Sequence, residues 1–569
     1  MPQDPVPPSN WWMYHGDPAH TGLATGSNIT SKNVGKMLTV QHELQLQGPV
    51  MSVPAIVDGY AYVGTANSKE AVGANGGSLN KINLETGEIL SYIWSIDPNE
   101  RDSHGFTGMG CTPAVIAGKV YFSAFNGCVY CLDQQTMALL WMTNLRHADS
   151  QHNQPVNNIL GLDDPYGTKA PPLSGWSSPV VANGNVYVGV GEGENPQVFG
   201  FVYCLDGQTG DVKWLFCTNK FYSCTDNQPN VIPSSVAQSP LPPGVTITTM
   251  APITMGSSVW TGIAYDSDLN RLYCSTGNPS PDGRLPTVGY TNGILALDAA
   301  TGNFCGFRQF PPETSYRPSD VDVDVGGSAT IYTSNGRKVL AVGCKNGGFI
   351  ILDADSLEIL QQRNLLPYMN DGSQIPTVDP HGPDDPTNPN PRRTNEESNN
   401  YDQENFYGTY STPAVHPLLG KLFMGVGGNN YHETAPGIDF ETTPFMRVMD
   451  WNTLEDAWPM DTNDPRRYLN AQPPMYTNAG ESGLSVPALV NDVVFMGTSG
   501  VNLYAFDAND GTLLWSDALG MQTSGTNGGY GYCLGAAISG DFVVAGALVF
   551  GRDGGILKIY KLQTSSQPT

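Results

Sequence analysis

A chain of 569 residues could hold three or four ordinary domains, yet 65 Gly, 44 Pro and only 14% charged residues describe many short strands joined by tight turns. The formal charge of −26 excludes nucleic acid and anionic lipid, which need clustered Lys and Arg, and favours a cation or a cationic protein as partner. No run of eighteen apolar residues offers a membrane-spanning helix, and Met1-Pro-Gln-Asp reads as a mature start with an added initiator.

In chain order, Lys36-Met-Leu-Thr-Val-Gln41 is a strand that belongs to no repeat. From Ser52 onward one unit recurs: a Ser/Thr-Pro-Ala-Val strand, a turn, a Val-Tyr-Val-Gly strand, and a Leu-Asp-x-x-Thr-Gly turn followed by Trp. The first copy runs from Ser52 to Trp94, the second opens at Thr112 and closes on Trp141, and the third opens at Ser178 and closes on Trp214. The fourth carries Val259–Tyr265 and Arg271–Ser275, predicted to pair as a hairpin across Asp266-Ser-Asp-Leu-Asn270, and closes on Leu297-Asp-Ala-Ala-Thr-Gly302. Later copies begin near Gly326, Ser411, Ser485 and Leu534, which makes eight. The repeat-ending Trp94, Trp141, Trp214, Trp458 and Trp515 are read as packing blade against blade.

Eight such units predict an all-β, eight-bladed β-propeller forming a single domain over 1–569. The last copy lacks its Asp-Gly turn and outer strand, so the N-terminal strand is expected to complete the eighth blade and remove its exposed edge. Insertions at 144–175, 217–250 and 366–408, rich in Pro, Asp and Asn, are predicted to be long loops shaping access to a central site.

The cysteines are scattered rather than set out as a zinc framework. Cys128 and Cys131 lie within one strand, no His follows Cys131 as covalent haem attachment requires, and Cys217 and Cys224 are close enough in sequence to pair in an oxidising compartment. Gly189-Val-Gly-Glu-Gly193 has no helix pattern after it, which argues against a nucleotide loop. In Thr276-Gly-Asn-Pro-Ser-Pro281, glycine and proline flank Asn278, so its amide oxygen is either a fixed ligand or a turn cap.

The repeat ending, together with GSSVW, STGNPSP and CKNGGFIILD, resembles the eight-bladed quinoprotein alcohol dehydrogenases, which use pyrroloquinoline quinone (PQQ). The likeness covers most of the chain, is most specific between Ser174 and Asp353, and looks closest to polyvinyl-alcohol-dehydrogenase-like members. It implies that Trp260 lies flat beneath the quinone and that Asn278, eighteen residues later, ligates a metal. It assigns Glu194, with Glu192 as rival, as a second ligand, and Asp324, with Asp322 as rival, as both catalytic base and ligand. Lys345 is implied beside the quinone oxygens, and Cys111 and Ser178 as further cofactor contacts.

Glu194, Asn278 and an Asp carboxylate are hard oxygen donors suited to Ca2+. The resemblance implies a lanthanide as a second possibility, because lanthanide-using relatives place an extra carboxylate at the spacing of Asp322 and Asp324. The resemblance further implies oxidation of a primary or secondary alcohol, polymers included. Electrons would pass to a separate acceptor such as a cytochrome c, in the periplasm or outside the cell. The chain departs from the family in having no vicinal Cys pair, only Cys111, and Met51 where relatives carry a Glu. Those departures fit the rival reading, a propeller without cofactor that serves as a binding or assembly scaffold.

Overall fold

The computed structural model describes residues 10–67, 76–94, 106–145, 147–149, 154–155, 175–191, 200–218, 231–233, 257–277, 290–309, 325–345, 347–365, 409–426, 445–463, 468–470, 483, 485–520, 531–549 and 554–563. The predicted 366–408 insertion lies wholly outside these residues, as do most of the other two insertions and the side chains of Cys217 and Cys224.

Eight antiparallel sheets form an eight-bladed β-propeller with almost no helix. Their innermost strands are Ala55–Val57, Ala114–Ile116, Val180–Ala182, Ile263–Asp266, Thr330–Ser334, Ala414–His416, Ala488–Val490 and Gly531–Ser539, in blades 1 to 8. Each touches the next and the eighth touches the first, so the ring closes. All eight predicted repeats are blades. The fourth-repeat hairpin pairs Ile263 with Cys274 and Asp266 with Arg271. The closing strand is Leu38–Leu46, longer than the sequence suggested, and it pairs antiparallel with Gly555–Leu562 as the outer strand of blade 8. That pairing fastens the first part of the chain to the last and covers an edge that would otherwise be open.

The Asp-x-x-Thr-Gly signature is a turn held by its own carboxylate. Asp298 Oδ1 accepts from the Thr301 backbone N–H and hydroxyl at 2.8 and 2.7 Å, and Asp206 accepts from the N–H groups of Gln208 and Thr209. The glycine that ends the turn is left-handed and receives the tryptophan of the preceding blade. A Cβ on Gly302 (φ +71°) would fall 2.6 Å from the Trp214 indole, and one on Gly511 (φ +85°) 2.6 Å from that of Trp458. The indole N–H then donates to the same turn, Trp214 to the Ala299 carbonyl at 3.3 Å and Trp458 to that of Ala508 at 3.0 Å. Blade 4 ends in Phe304–Gln309 and blade 5 in Ile359–Asn364, neither with a tryptophan, and the turn positions facing them are Leu357 and Leu454. Trp515 packs on Tyr560 at 5.0 Å in blade 8, which lacks the Asp-Gly turn. The side chain of Trp94 lies outside the described residues.

The centre of the ring is filled by an element the sequence reading did not foresee. Residues 11–22 run round the inner edge of the ring, and six of the eight innermost strands donate a backbone N–H to their carbonyls. Ile56 donates to Trp11 at 2.6 Å, Val115 to Trp12 at 2.8 Å, Tyr265 to Pro18 at 2.7 Å, Ile331 to Ala19 at 2.8 Å, Val415 to Thr21 at 2.9 Å and Leu489 to Gly22 at 2.7 Å. An innermost strand is a sheet edge, and its N–H groups need partners once buried. A single segment supplies them, and Trp11, Trp12 and Met13 fill the remaining space, all buried.

Two histidines of this segment are buried with it. His15 sets Nδ1 2.6 Å from the His20 carbonyl oxygen and Nε2 3.0 Å from that of Pro487, and burial pulls it down to about 4 despite both contacts. His20, 3.3 Å from the Ala329 carbonyl through Nδ1, is pulled down to about 3 by burial and by the neighbouring His15.

Candidate functional site

The described part of the site is assembled from blades 4, 5 and 6. Trp260 lies three residues before the innermost strand of blade 4 and Tyr410 four residues before that of blade 6. Lys345 sits in the turn between the strands Arg337–Gly343 and Gly348–Asp353 of blade 5. Gly347 (φ +85°) closes that turn by donating to the Cys344 carbonyl, while the Cys344 N–H donates to the Gly348 carbonyl, both at 2.9 Å. From that turn the lysine stem reaches the rings of Trp260 and Tyr410.

There Lys345 is 1% exposed, with Nζ 5.1 Å from the centroid of the Trp260 ring and 4.5 Å from that of Tyr410. The two rings are 6.4 Å apart at 61°. Such distances are cation–π distances, and they hold a charge where water is excluded. Gly326 belongs to the same cluster, because a Cβ there would come 3.2 Å from both Lys345 Cε and Tyr410 Cδ1. Trp260 is only half-buried, unlike the blade-docking Trp214 and Trp458.

Glu192, Glu194, Asn278, Asp322 and Asp324 lie outside the described residues. Their described neighbours converge. The Gly277 N–H donates to the Ser258 carbonyl at 2.8 Å, two residues from Trp260. A Cβ on Gly191 would come 2.7 Å from Ser258 Cα. The Val325 N–H donates to the Thr276 carbonyl at 3.4 Å. So the backbone just before Glu192, just before Asn278 and just after Asp324 gathers around Ser258 and Thr276. Among the described residues alone, no cluster of His, Cys, Asp and Glu could hold a metal ion.

Cys111 and Ser178 come near each other through Thr112, which follows Cys111 in the chain. The Ser178 hydroxyl accepts from the Thr112 N–H at 2.9 Å, and the Thr112 hydroxyl donates to the Val53 carbonyl at 2.8 Å, which ties blades 1, 2 and 3 together. The Cys111 thiol donates to the Ser123 carbonyl at 3.2 Å, and burial pushes it up to about 11, so it stays protonated at neutral pH. Beside them Trp176 packs on Phe125 at 4.6 Å.

Two residues at the site were missed by sequence reasoning. Tyr410 follows the 366–408 insertion, and its only signal was its place just ahead of Ser411-Thr-Pro413. Tyr14 lies on the inner-edge segment, and the aromatic cluster Trp11-Trp-Met-Tyr14 ahead of the first repeat was the sign of it.

A family model for the glucose/ethanol/alcohol dehydrogenase β-propeller domain matches residues 161–356. A second, described as outer membrane protein assembly factor BamB, matches residues 39–216 and 452–567. The dehydrogenase subunit of the quinone alcohol dehydrogenase of Gluconacetobacter polyoxogenes is 24% identical over 574 residues, spanning 89% of this chain and 68% of that protein. The 1-butanol dehydrogenase (cytochrome c) of Thauera butanivorans is 23% identical over 568 residues, spanning 90% of this chain and 71% of that protein. The crystal structure of the quinohemoprotein alcohol dehydrogenase of Comamonas testosteroni superposes with a TM-score of 0.62 at 18% identity, over 99% of this chain and 82% of that one.

Proposed function

The chain belongs to the PQQ-dependent alcohol dehydrogenase-like β-propeller family, and from that premise we propose that it oxidises a primary or secondary alcohol, polymeric alcohols included, to the carbonyl compound. The observation that carries this reading is the ammonium of Lys345, buried at the ring centre between Trp260 and Tyr410. A half-exposed indole face beside a water-excluded cation fits a flat, anionic ring, so the donor set suits the cofactor of the family.

PQQ, when bound, supplies the two-electron acceptor for the hydride leaving the alcohol carbon. Trp260 gives that ring a flat apolar floor. Lys345 offsets negative charge on its oxygens, an effect strengthened because Lys345 is out of water. Asp324, with Asp322 as rival, takes the hydroxyl proton of the alcohol as the C–H bond breaks. Glu194 and Asn278, with Asp324, hold Ca2+ or a lanthanide through oxygen donors. The convergence of Gly191, Gly277 and Val325 on one spot supports that grouping. The acceptor is a separate carrier such as a cytochrome c, the chain works in the periplasm or outside the cell, and the propeller is a single domain over 1–569.

A scaffold reading draws on the BamB match, but that match leaves out residues 217–451, where Trp260, Lys345 and Tyr410 stand. The test is a dye-linked alcohol oxidation assay of protein reconstituted with PQQ and Ca2+ or La3+. Asp324→Asn should lose at least about a hundredfold in turnover, the usual scale for a general base, with the fold intact by circular dichroism. Unchanged turnover would move the base to Asp322 or end the mechanism.

A further inference from the structure

Lys345 points to a role for a residue that the family comparison does not assign. Its ammonium is 0.6 Å nearer the ring of Tyr410 than that of Trp260, at 4.5 against 5.1 Å, so of the two rings described beside it Tyr410 is the nearer. Each wall arrives on the loop leading into a different blade, and among the described residues Tyr14 of the inner-edge segment ties the two loops together.

Its hydroxyl meets Thr412 Oγ1 at 2.8 Å, two residues beyond Tyr410. Its ring lies where a Cβ on Gly262 would fall, 2.8 Å from Cδ1, two residues beyond Trp260. Thr412 Oγ1 also accepts the Ser328 N–H at 2.9 Å, and the Ser328 hydroxyl donates to the Gly262 carbonyl at 2.8 Å. Tyr14, Ser328 and Thr412 therefore join the three blades beneath the cation.

We propose that Tyr410 is a positioning residue, which with Trp260 clamps the Lys345 ammonium between two ring faces so that the charge stays aimed at the centre of the ring. The ring face does this work, because an aromatic quadrupole attracts a cation from either side, whereas an alkyl group of equal volume does not. Its consequence for a bound quinone rests on the function proposed above; the clamp itself does not.

The test is competitive acetylation of the cofactor-free protein, read lysine by lysine by mass spectrometry, with Lys338 and Lys558 as references for global opening. Tyr410→Met and Tyr410→Leu should acetylate Lys345 about 5- to 10-fold faster than the parent while the references hold steady, and Tyr410→Phe should stay within about twofold. Two ring-less variants are used so that one misfolded protein does not decide. Equal Lys345 rates in the parent and the ring-less variants would overturn the proposal, as would a Phe variant as fast as the Met variant. Titrating the same proteins with PQQ in the presence of Ca2+ or La3+ then reads the other claim separately. Weakening of about fivefold in the Met variant, restored in the Phe variant, is expected. A parent that binds no PQQ would defeat the functional reading and leave the acetylation result standing.

Discussion

Removing residues 10–22 while keeping the closing strand Leu38–Leu46 is the sharpest perturbation of the architecture. The deletion strips partners from six buried N–H groups on the innermost strands of blades 1, 2, 4, 5, 6 and 7. At a net worth of about 1 kcal/mol per hydrogen bond, those six contribute about 6 kcal/mol. Trp11, Trp12 and Met13 are 1%, 6% and 0% exposed, and burying each adds about 2–3 kcal/mol. The loss, about 12–15 kcal/mol in all, reaches the upper end of the roughly 5–15 kcal/mol that stabilises a folded protein. Denaturant unfolding followed by tryptophan fluorescence is the assay. The truncated protein should show no cooperative transition, and a synthetic peptide of residues 10–24 should restore it. A truncated protein that unfolds cooperatively within about 1 kcal/mol of the parent would refute the idea that this segment completes the inner edges.

The same segment makes stability depend on acid. Unfolded His15 and His20 take up protons near pH 6.5, whereas the folded ones do so only near 4 and 3. Between those values the unfolded chain binds more protons, so stability falls as pH falls from 6.5, by up to about 1.4 kcal/mol per pH unit for each histidine. From pH 7 to 5 the parent should lose about 3–4 kcal/mol by denaturant titration. A fall of only about half that size would mean that His15, with both ring nitrogens against carbonyls, is already charged in the fold, and a flat profile would refute the account for both histidines. Trp458, 2% exposed with its indole N–H on the Ala508 carbonyl, should cost about 3–5 kcal/mol when changed to Ala, measured as a fall in denaturation midpoint.

Much of the ring was legible because its repeat is a packing code. Tryptophan in one blade requires glycine in the turn of the next, as Trp214 with Gly302 and Trp458 with Gly511 demonstrate, and that reciprocity shows as a regular spacing. The closing strand was legible for a related reason, since a repeat lacking its outer strand leaves an edge that some other segment has to cover. The inner-edge segment was not. It pairs through its backbone carbonyls, which leave no side-chain pattern, and its partners lie tens to hundreds of residues away. Trp260 and Lys345 were found through their local motifs, and the structure brings them together. Tyr410 was not, because its place just ahead of the Ser411-Thr-Pro413 repeat opening does not show that the fold brings its ring to Lys345. Cys111 and Ser178 stand at recognisable positions, but their hydrogen bonds, Cys111 to Ser123 within blade 2 and Ser178 from Thr112 across blades 2 and 3, are not revealed by a linear motif.

The central claim is that Trp260 and Lys345 mark a quinone site completed by a metal. Calorimetric titration of metal-stripped protein with PQQ, with and without Ca2+ or La3+, tests it most directly. One equivalent binding only when metal is present, and at least about tenfold more weakly in Trp260→Ala, is the expected result. No binding with either metal would contradict it and leave the propeller as a scaffold for a protein partner.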